Sequence, residues 1–238
     1  MTRRFAAVAL ATFTLAAQAL ADEAVIRKNL SSRYPDVTID EVNKTPIPGL
    51  FELRLGSEVI YSDAEGNYLV QGNIIDTKSR KNLTEERVNK LSAIAFESLP
   101  LADAIVWKNG KGTRKLAVFA DPNCGYCKKF ERDLTNVKDV TVYTFLIPIL
   151  GGDSPQKSQA IWCSKDRTAA WRNWMVDGTQ PPKLLGQCES PVARNMAFAQ
   201  KYRINGTPAL VFEDGTRVPG ALPAADVEKQ LAAAAAKK

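Results

Sequence analysis

One stretch constrains the fold of this chain more than any other: an apolar strand, a helix and a second apolar strand in immediate succession. Residues 116–120 predict the first strand, 124–137 the helix and 140–147 the second strand. Two parallel strands need a crossover connection, usually a helix, and together they form a β-α-β unit. We therefore predict an α/β domain over residues 111–238.

The remainder of this domain completes the sheet and adds helices. Residues 209–213 and 216–218 predict a hairpin around Asp214-Gly215, and a last helix begins near Ala224. Between about 153 and 203 the pattern is mostly helical, which we interpret as an insertion. Its predicted helices are 156–164, 168–176 and 191–202.

The N-terminal part has a different pattern, typical of a small α+β domain over residues 22–82. One amphipathic helix is predicted at 23–34. The predicted strands that follow lie at about 37–42, 51–55, 59–62 and 68–75. Such a sheet has a small core and edges that invite pairing with another chain, so a homodimer is consistent with this pattern.

Residues 83–110 are expected to join the two domains as a linker helix and a hinge. Thr84 is a suitable N-cap, two glutamates follow it in the first turn, and an apolar stripe continues to Leu99. The polar segment 108–114 contains two glycines and predicts the hinge.

The first 21 residues predict a secretory signal peptide. Arg3 and Arg4 precede an apolar run of 13 residues, and Ala19-Leu20-Ala21 fits a small-x-small cleavage site. The alternative, a transmembrane anchor, would need about 20 apolar residues. We expect cleavage after Ala21, export from the cytoplasm and no membrane insertion of the mature chain.

The amino-acid composition excludes several classes of function and of catalytic site. Hydrophobic residues at 45% and charged residues at 24% indicate a folded globular protein. The net charge of +6 comes from Lys and Arg scattered among Asp and Glu, so nucleic-acid binding is not expected. The chain has no histidine, which excludes Ser-His and Cys-His nucleophile pairs and disfavours catalytic zinc. The four cysteines are the leading candidates for chemistry.

The Cys-Gly-Tyr-Cys motif at 124–127 lies between a predicted strand and helix. Unpaired N–H groups at a helix N-terminus acidify a thiol, and Lys128 and Lys129 are expected to add to this effect. We expect Cys124 to attack a disulfide and Cys127 to release the mixed disulfide. The alternatives are an inert structural disulfide and half of a four-cysteine zinc site, which would more often show a second close cysteine pair.

The other two cysteines and one proline complete the candidate site residues. Cys163 and Cys188 lie in the helical insertion without a CxxC spacing, and we expect them to form a structural disulfide; two free buried thiols are the alternative. Thr207-Pro208 precedes a predicted strand. From the residues alone, an ordinary turn proline is favoured because few X–Pro bonds are cis.

Several of these features together resemble the DsbC/DsbG family of bacterial periplasmic thiol:disulfide interchange proteins. The segment 119–127 reads Phe-Ala-Asp-Pro-Asn-Cys-Gly-Tyr-Cys, and a later cysteine pair follows. The other matching segments are Gly-Thr-Pro-Ala at 206–209, Asp-Gly-Thr at 214–216 and Val-Pro-Gly at 218–220. The resemblance covers essentially the whole mature chain. Within this family, Gly125 favours a similarity to the disulfide isomerase DsbC over DsbG, because the cysteine pair of DsbG usually lies in the sequence Cys-Pro-Tyr-Cys.

The resemblance implies a V-shaped homodimer joined through the N-terminal domains, with two thioredoxin-like catalytic domains facing a cleft. It implies a periplasmic disulfide isomerase with chaperone activity that acts on misfolded disulfide-containing proteins. It also implies that the membrane reductase DsbD keeps the dithiol reduced. Neither a cofactor nor a metal is expected.

The resemblance also implies roles for individual residues. Cys124 is the expected nucleophile and Cys127 the resolving thiol, forming the redox-active disulfide. Thr207 and Pro208 are the expected cis-proline loop that contacts substrate, and the later cysteine pair is the expected structural bridge. Lys128 departs from the family, which often has histidine at this position.

Two other functions remain open from the sequence. A dithiol oxidase of the DsbA type uses the same two sulfurs but donates its own disulfide, and it acts as an accessible monomer. A chaperone-type binding protein with incidental cysteines would hold unfolded chains without exchanging disulfides.

Overall fold

A computed structural model of the protein describes residues 22–183 and 188–237. The predicted signal peptide and its cleavage site lie outside the described residues. The described part of the chain forms two compact units, residues 22–91 and 92–237. Each unit has its own sheet and its own apolar core.

The first unit is a small α+β fold. Its helix α1 spans 22–33 and packs Ile26 and Leu30 against Phe51 and Leu53 of the sheet. The four-stranded antiparallel sheet runs in chain order, from β1 to β4. These strands are Glu41–Lys44 (β1), Leu50–Leu55 (β2), Glu58–Asp63 (β3) and Leu69–Val70 (β4). A hairpin of β5 (Ile75–Asp76) and β6 (Lys81–Asn82) leads into helix α2 (Leu83–Leu91).

The predicted strand at 68–75 is divided in the structure between two sheets. Leu69 and Val70 pair with β3, but the Ile74 N–H is bonded to the Thr84 hydroxyl at 2.9 Å, and Ile74 O accepts from Leu83 N at 2.9 Å. The backbone at residue 74 therefore pairs with the start of α2 instead of continuing along β3.

The expected N-cap at Thr84 is wrong. The side chain of Asn82 accepts the Glu85 N–H at 3.0 Å, so Asn82 caps the helix. Thr84 is buried inside the unit, where its hydroxyl is bonded to the Tyr61 hydroxyl.

Helix α2 also ends earlier than the apolar stripe predicts. It ends at Leu91, and Ile94, Phe96 and Leu99 pack instead into the core of the second unit with Phe119. The Ile94 N–H donates to Gly215 O at 3.0 Å, which ties this segment to the second unit. Helical spacing was misleading because these side chains belong to a different core.

The second unit is an α/β fold around a five-stranded sheet in the order β11-β10-β8-β9-β7. Strands β8 and β9 are parallel and flank helix α3, as the β-α-β prediction requires, whereas the other neighbours are antiparallel. The strands are Ile105–Asn109 (β7), Arg114–Ala120 (β8), Val140–Leu146 (β9), Ala209–Phe212 (β10) and Arg217–Pro219 (β11). Helix α3 spans Gly125–Leu134, and the last helix, α7, spans Ala224–Ala235.

Strand β7 is absent from the sequence prediction, which treats residues 83–110 as linker and hinge. It pairs along its whole length with β9, and Ile105 and Trp107 point into the core while Val106 lies outside. Its alternation of apolar and polar residues is short, and it is an edge strand. Such a pattern is easily mistaken for part of a connection.

The helical insertion follows β9 and agrees with the sequence pattern. Its helices are α4 (Ser154–Trp162), α5 (Arg167–Arg172) with a π-helical turn at Asn173–Asp177, and α6 (Val192–Lys201). Trp171 and Met175 are fully buried in the same cluster as Phe130 and Leu134 of α3. The insertion is thus packed onto the helix that carries the dithiol. Within the described residues, no helix is both long enough and apolar enough to cross a bilayer.

Candidate active site

Strand β8 and helix α3 place the first cysteine at a helix N-terminus. Cys124 follows the turn 121–123 and is the N-cap of α3, with φ −72° and ψ 114°. Its Sγ accepts a hydrogen bond from the Cys127 N–H at 3.2 Å. Sulfur here takes the place of the oxygen of a usual N-cap side chain, so an anionic sulfur satisfies an otherwise unpaired amide.

A second chain segment, the residues just before β10, contacts the dithiol. The Thr207–Pro208 peptide bond is cis, and Thr207 O accepts a hydrogen bond from the Cys124 thiol at 3.3 Å. Pro208 O accepts from Gly220 N at 2.8 Å, which holds this loop to the chain beyond β11. The structure therefore brings Cys124, Cys127 and the Thr207–Pro208 loop together.

The two sulfurs differ strongly in acidity. The pKa of Cys124 is lowered to about 6, first by the hydrogen bond with the Cys127 side chain and further by the Thr207 side chain and by the Cys127 and Tyr126 amides, against the opposing effect of burial. Burial raises the pKa of Cys127, and the neighbouring Cys124 raises it further. Cys124 is 5% exposed and Cys127 only 1%. One sulfur is therefore a thiolate near neutral pH, and the other remains a buried thiol.

The lysines after the motif do not have the role expected from the sequence. The largest contributions to the low pKa of Cys124 are all hydrogen bonds, and none comes from a lysine. The Lys128 ammonium lies 3.7 Å from the centre of the Trp174 ring, and Lys129 pairs with Asp133 at 3.2 Å. Both charges are engaged elsewhere, so the helix N-terminus and its local donors acidify the thiol.

Cys163 and Cys188 are bonded to each other, with their Cα atoms 6.0 Å apart. Cys163 is the C-cap of α4, so the bridge ties the end of this helix to the segment that precedes α6. Cys124 and Cys127 are both free thiols. No cluster of potential metal ligands occurs among the residues that the structure describes.

A buried carboxyl group lies on the dithiol helix and was missed by the sequence analysis. Glu131 is buried on the same face of α3 as Cys127, and its Oε1 accepts from Trp171 Nε1 at 2.8 Å. Burial raises the pKa of Glu131 to about 7. In the sequence it stands between Phe130 and Arg132 in a charged stretch typical of a solvated helix face, so no local signal marked it.

The acidity of Cys124 is directly measurable. In the reduced protein, the ultraviolet absorbance of the thiolate is expected to appear with a midpoint near pH 6, and alkylation by iodoacetamide should follow the same curve. The variant Cys124→Ala should lose this transition. A midpoint close to the ordinary thiol pKa of about 8.5 would contradict the hydrogen-bonded thiolate.

Glu131 predicts a pH-dependent difference in stability. Because its pKa is raised in the folded protein, its stabilising effect is complete below about pH 4.5 and is lost as the pH rises through about 7. Glu131→Gln keeps an acceptor for Trp171 and removes this dependence. In urea unfolding, the variant should gain about 2–3 kcal/mol relative to the wild type between pH 4 and pH 8. Asp133→Asn on the same helix is the control; an equal gain there, or none in Glu131→Gln, would contradict the prediction.

Comparisons with known proteins identify two domain families along the chain. The family described as "Disulfide bond isomerase protein N-terminal domain" matches residues 17–85, and the "Thioredoxin-like domain" family matches residues 101–235. Over 206 residues the chain is 41% identical to the probable thiol:disulfide interchange protein DsbC of Bordetella pertussis, covering 87% of this chain and 73% of that protein. It is 29% identical over 229 residues to Escherichia coli DsbC, covering 93% and 92%.

A solved structure is similar to part of the chain. The disulfide interchange protein of Neisseria gonorrhoeae superposes with a TM-score of 0.53 and 37% identity, covering 56% of this chain and 98% of that one. The two domain families thus occur here in the combination that the sequence predicted. The chain belongs to the DsbC family of thiol:disulfide interchange proteins.

Proposed function

We propose that Cys124 and Cys127 carry out the interchange reaction and that its main outcome is disulfide isomerisation. The observation that supports this most directly is the asymmetry of the pair: an acidic thiolate at the N-terminus of α3 next to a buried thiol of raised pKa. A thiolate is the attacking species in thiol–disulfide exchange.

The reaction begins with attack by the Cys124 thiolate on one sulfur of a substrate disulfide. The substrate S–S bond breaks, a new S–S bond joins Cys124 to the substrate, and the other substrate sulfur leaves as a thiolate. When a second substrate thiolate attacks the mixed disulfide, Cys124 is released as a thiolate and the substrate has a new pairing. No net oxidation or reduction takes place in this route.

Attack by Cys127 is the second way in which the mixed disulfide can be resolved. After losing its proton, Cys127 attacks the Cys124 sulfur, the Cys124–Cys127 disulfide forms, and the substrate leaves reduced. This route transfers two electrons to the substrate and leaves the protein oxidised. A reductant must then restore the dithiol, and we assign this role to the membrane reductase DsbD.

The remaining site residues support these steps. We assign Thr207 and Pro208 to substrate binding, because the Thr207 carbonyl lies 3.3 Å from the attacking sulfur. The Cys163–Cys188 bridge is assigned a structural role, since it joins α4 to the chain before α6 within the insertion. Its sulfurs take no part in the exchange.

The N-terminal unit is assigned to dimerisation, and the substrates to misfolded periplasmic proteins with incorrect disulfides. Strand β4 lies at the edge of its sheet, and its residues Leu69 and Val70 are 44% and 50% exposed. An apolar edge strand with free backbone groups is suited to pairing with a second copy. Residues 1–21 are proposed to direct export and to be removed after Ala21.

Isomerase activity is tested with a scrambled multi-disulfide protein as substrate. The reduced protein should restore its activity catalytically, and Cys124→Ala should abolish this effect because no attacking thiolate remains. Cys127→Ala should retain the first attack and accumulate the mixed disulfide, visible on a non-reducing gel.

The controls separate the other functions. If the disulfide form rapidly oxidises a reduced substrate while the dithiol form leaves the scrambled one unchanged, the protein is a dithiol oxidase. If Cys124→Ala suppresses substrate aggregation as well as the wild type and also restores activity, the cysteines are incidental.

Dimerisation is tested by sedimentation of the chain from residue 22 onward. We expect about twice the monomer mass at micromolar concentration, and Val70→Lys at the exposed edge should shift the protein toward monomer because it places a charge in the contact. Lys44→Ala, in the strand at the opposite edge, is the control. A monomeric wild type, or a dimer unaffected by Val70→Lys, would contradict this assignment.

A further inference from the structure

The turn before the nucleophile is bonded to the helical insertion at each of its three residues. Asp121 is fully buried, and its carboxylate accepts from the Ser154 hydroxyl at 2.7 Å and from the Leu150 N–H at 2.9 Å. Leu150 and Ser154 lie just before and at the start of α4. The first residue of the turn is thus attached to the N-terminus of the insertion.

The second residue of the turn is held by a tryptophan of the π-helical turn. Trp174 is buried, and its indole N–H donates to the Pro122 carbonyl at 2.6 Å. The ammonium groups of Lys128 and Lys157 lie 3.7 Å and 4.5 Å from the centre of the same ring. These cation–π contacts stabilise the position of the Trp174 ring, and its N–H is bonded to the turn.

The third residue is bonded through its side chain. The Asn123 amide donates to Asp153 Oδ1 at 2.6 Å and to Ser154 Oγ at 2.9 Å, and its oxygen accepts from Lys157 Nζ at 2.8 Å. Lys157 also pairs with Asp153 at 2.9 Å. Lys157 therefore contacts both Asn123 and the ring of Trp174, which links two of the three attachments.

We propose that the helical insertion positions the nucleophile, with Trp174 and Lys157 as positioning residues that hold the turn before Cys124. This inference rests on the proposed role of Cys124. The insertion touches neither sulfur through these bonds. It acts on the backbone that sets the direction of the Cys124 side chain.

The turn and the sulfur geometry are mechanically connected. The Cys124 N–H donates to Asp121 O at 3.1 Å, so the nucleophile is bonded directly to the first residue of the turn that the insertion holds. If Pro122 shifts, the Cys124 dihedral angles leave the N-cap values and the bond from the Cys127 N–H to Sγ lengthens. The Thr207 contact depends on the same sulfur position.

The test is the pH profile of Cys124 alkylation in Trp174→Phe, with the full mature chain. This variant keeps an aromatic ring for the two lysines but removes the N–H donor. If the thiolate loses the equivalent of one hydrogen bond, about 0.5–1.5 kcal/mol, we expect the midpoint to move to higher pH and the alkylation rate at pH 6 to fall about two- to sevenfold. Lys157→Met should change both in the same direction, by less.

Trp162→Phe is the matched control. Trp162 lies in the same insertion, at the end of α4, and the Arg167 Cζ atom lies 3.9 Å from the centre of its ring. A general loosening of the insertion would affect thermal stability in both tryptophan variants, but only a positioning role changes the alkylation midpoint in Trp174→Phe alone.

Two results would overturn the proposal. One is an unchanged alkylation profile in folded Trp174→Phe; if that variant does not fold, an unchanged profile in Lys157→Met is decisive. The other is an equal shift in Trp162→Phe. Failure of the proposed function would look different, since rapid alkylation would then persist in Cys124→Ala.

Discussion

The structure of the site depends on the hydrogen bond that the Cys127 amide donates to the Cys124 sulfur at 3.2 Å. Lowering the pKa of a thiol from its ordinary value of about 8.5 to about 6 requires on the order of 3–4 kcal/mol of preferential stabilisation of the thiolate. One hydrogen bond to a charged group contributes about 1.5–3 kcal/mol, and burial opposes the effect. The Cys127 side chain, the Thr207 side chain and the Tyr126 amide must therefore act together with this amide. The Cys127 amide reaches the sulfur because Cys124 is the N-cap of α3.

The contrast between the two sulfurs has a direct consequence for the balance of reactions. In the proposed mechanism, a mixed disulfide on Cys124 can be resolved in two ways, by attack of Cys127 or by attack of another substrate thiol. Because burial raises the pKa of Cys127, its thiolate fraction near neutral pH is small, and we expect its attack to be slowed. A substrate thiol of ordinary acidity then has time to compete, which favours rearrangement over release of reduced substrate. The same burial that protects Cys127 from solvent thus promotes isomerisation.

Local pattern was sufficient to predict the β-α-β unit and the placement of Cys124 at a helix N-terminus, because both depend on neighbouring residues. Features that depend on distant contacts were missed. Strand β7 is recognised only by its pairing with β9, and Thr84 is buried because it meets Tyr61 and Ile74 rather than capping its own helix. Leu99 lies on the predicted helical stripe but packs in the core of the second unit. Glu131 and Trp174 look like ordinary helix residues until their partners are known.

The position after the dithiol shows why the motif alone does not determine the chemistry. Lys128 directly follows Cys127, and a charge at this position suggests a direct influence on the Cys124 thiolate. In the structure its ammonium is directed onto Trp174, and burial and the nearby Lys157 and Arg132 lower the pKa of Lys128 itself. We therefore infer that Lys128 influences the Cys124 thiolate only indirectly. The charge stabilises the ring, the ring N–H holds Pro122, and Pro122 precedes the nucleophile by two residues.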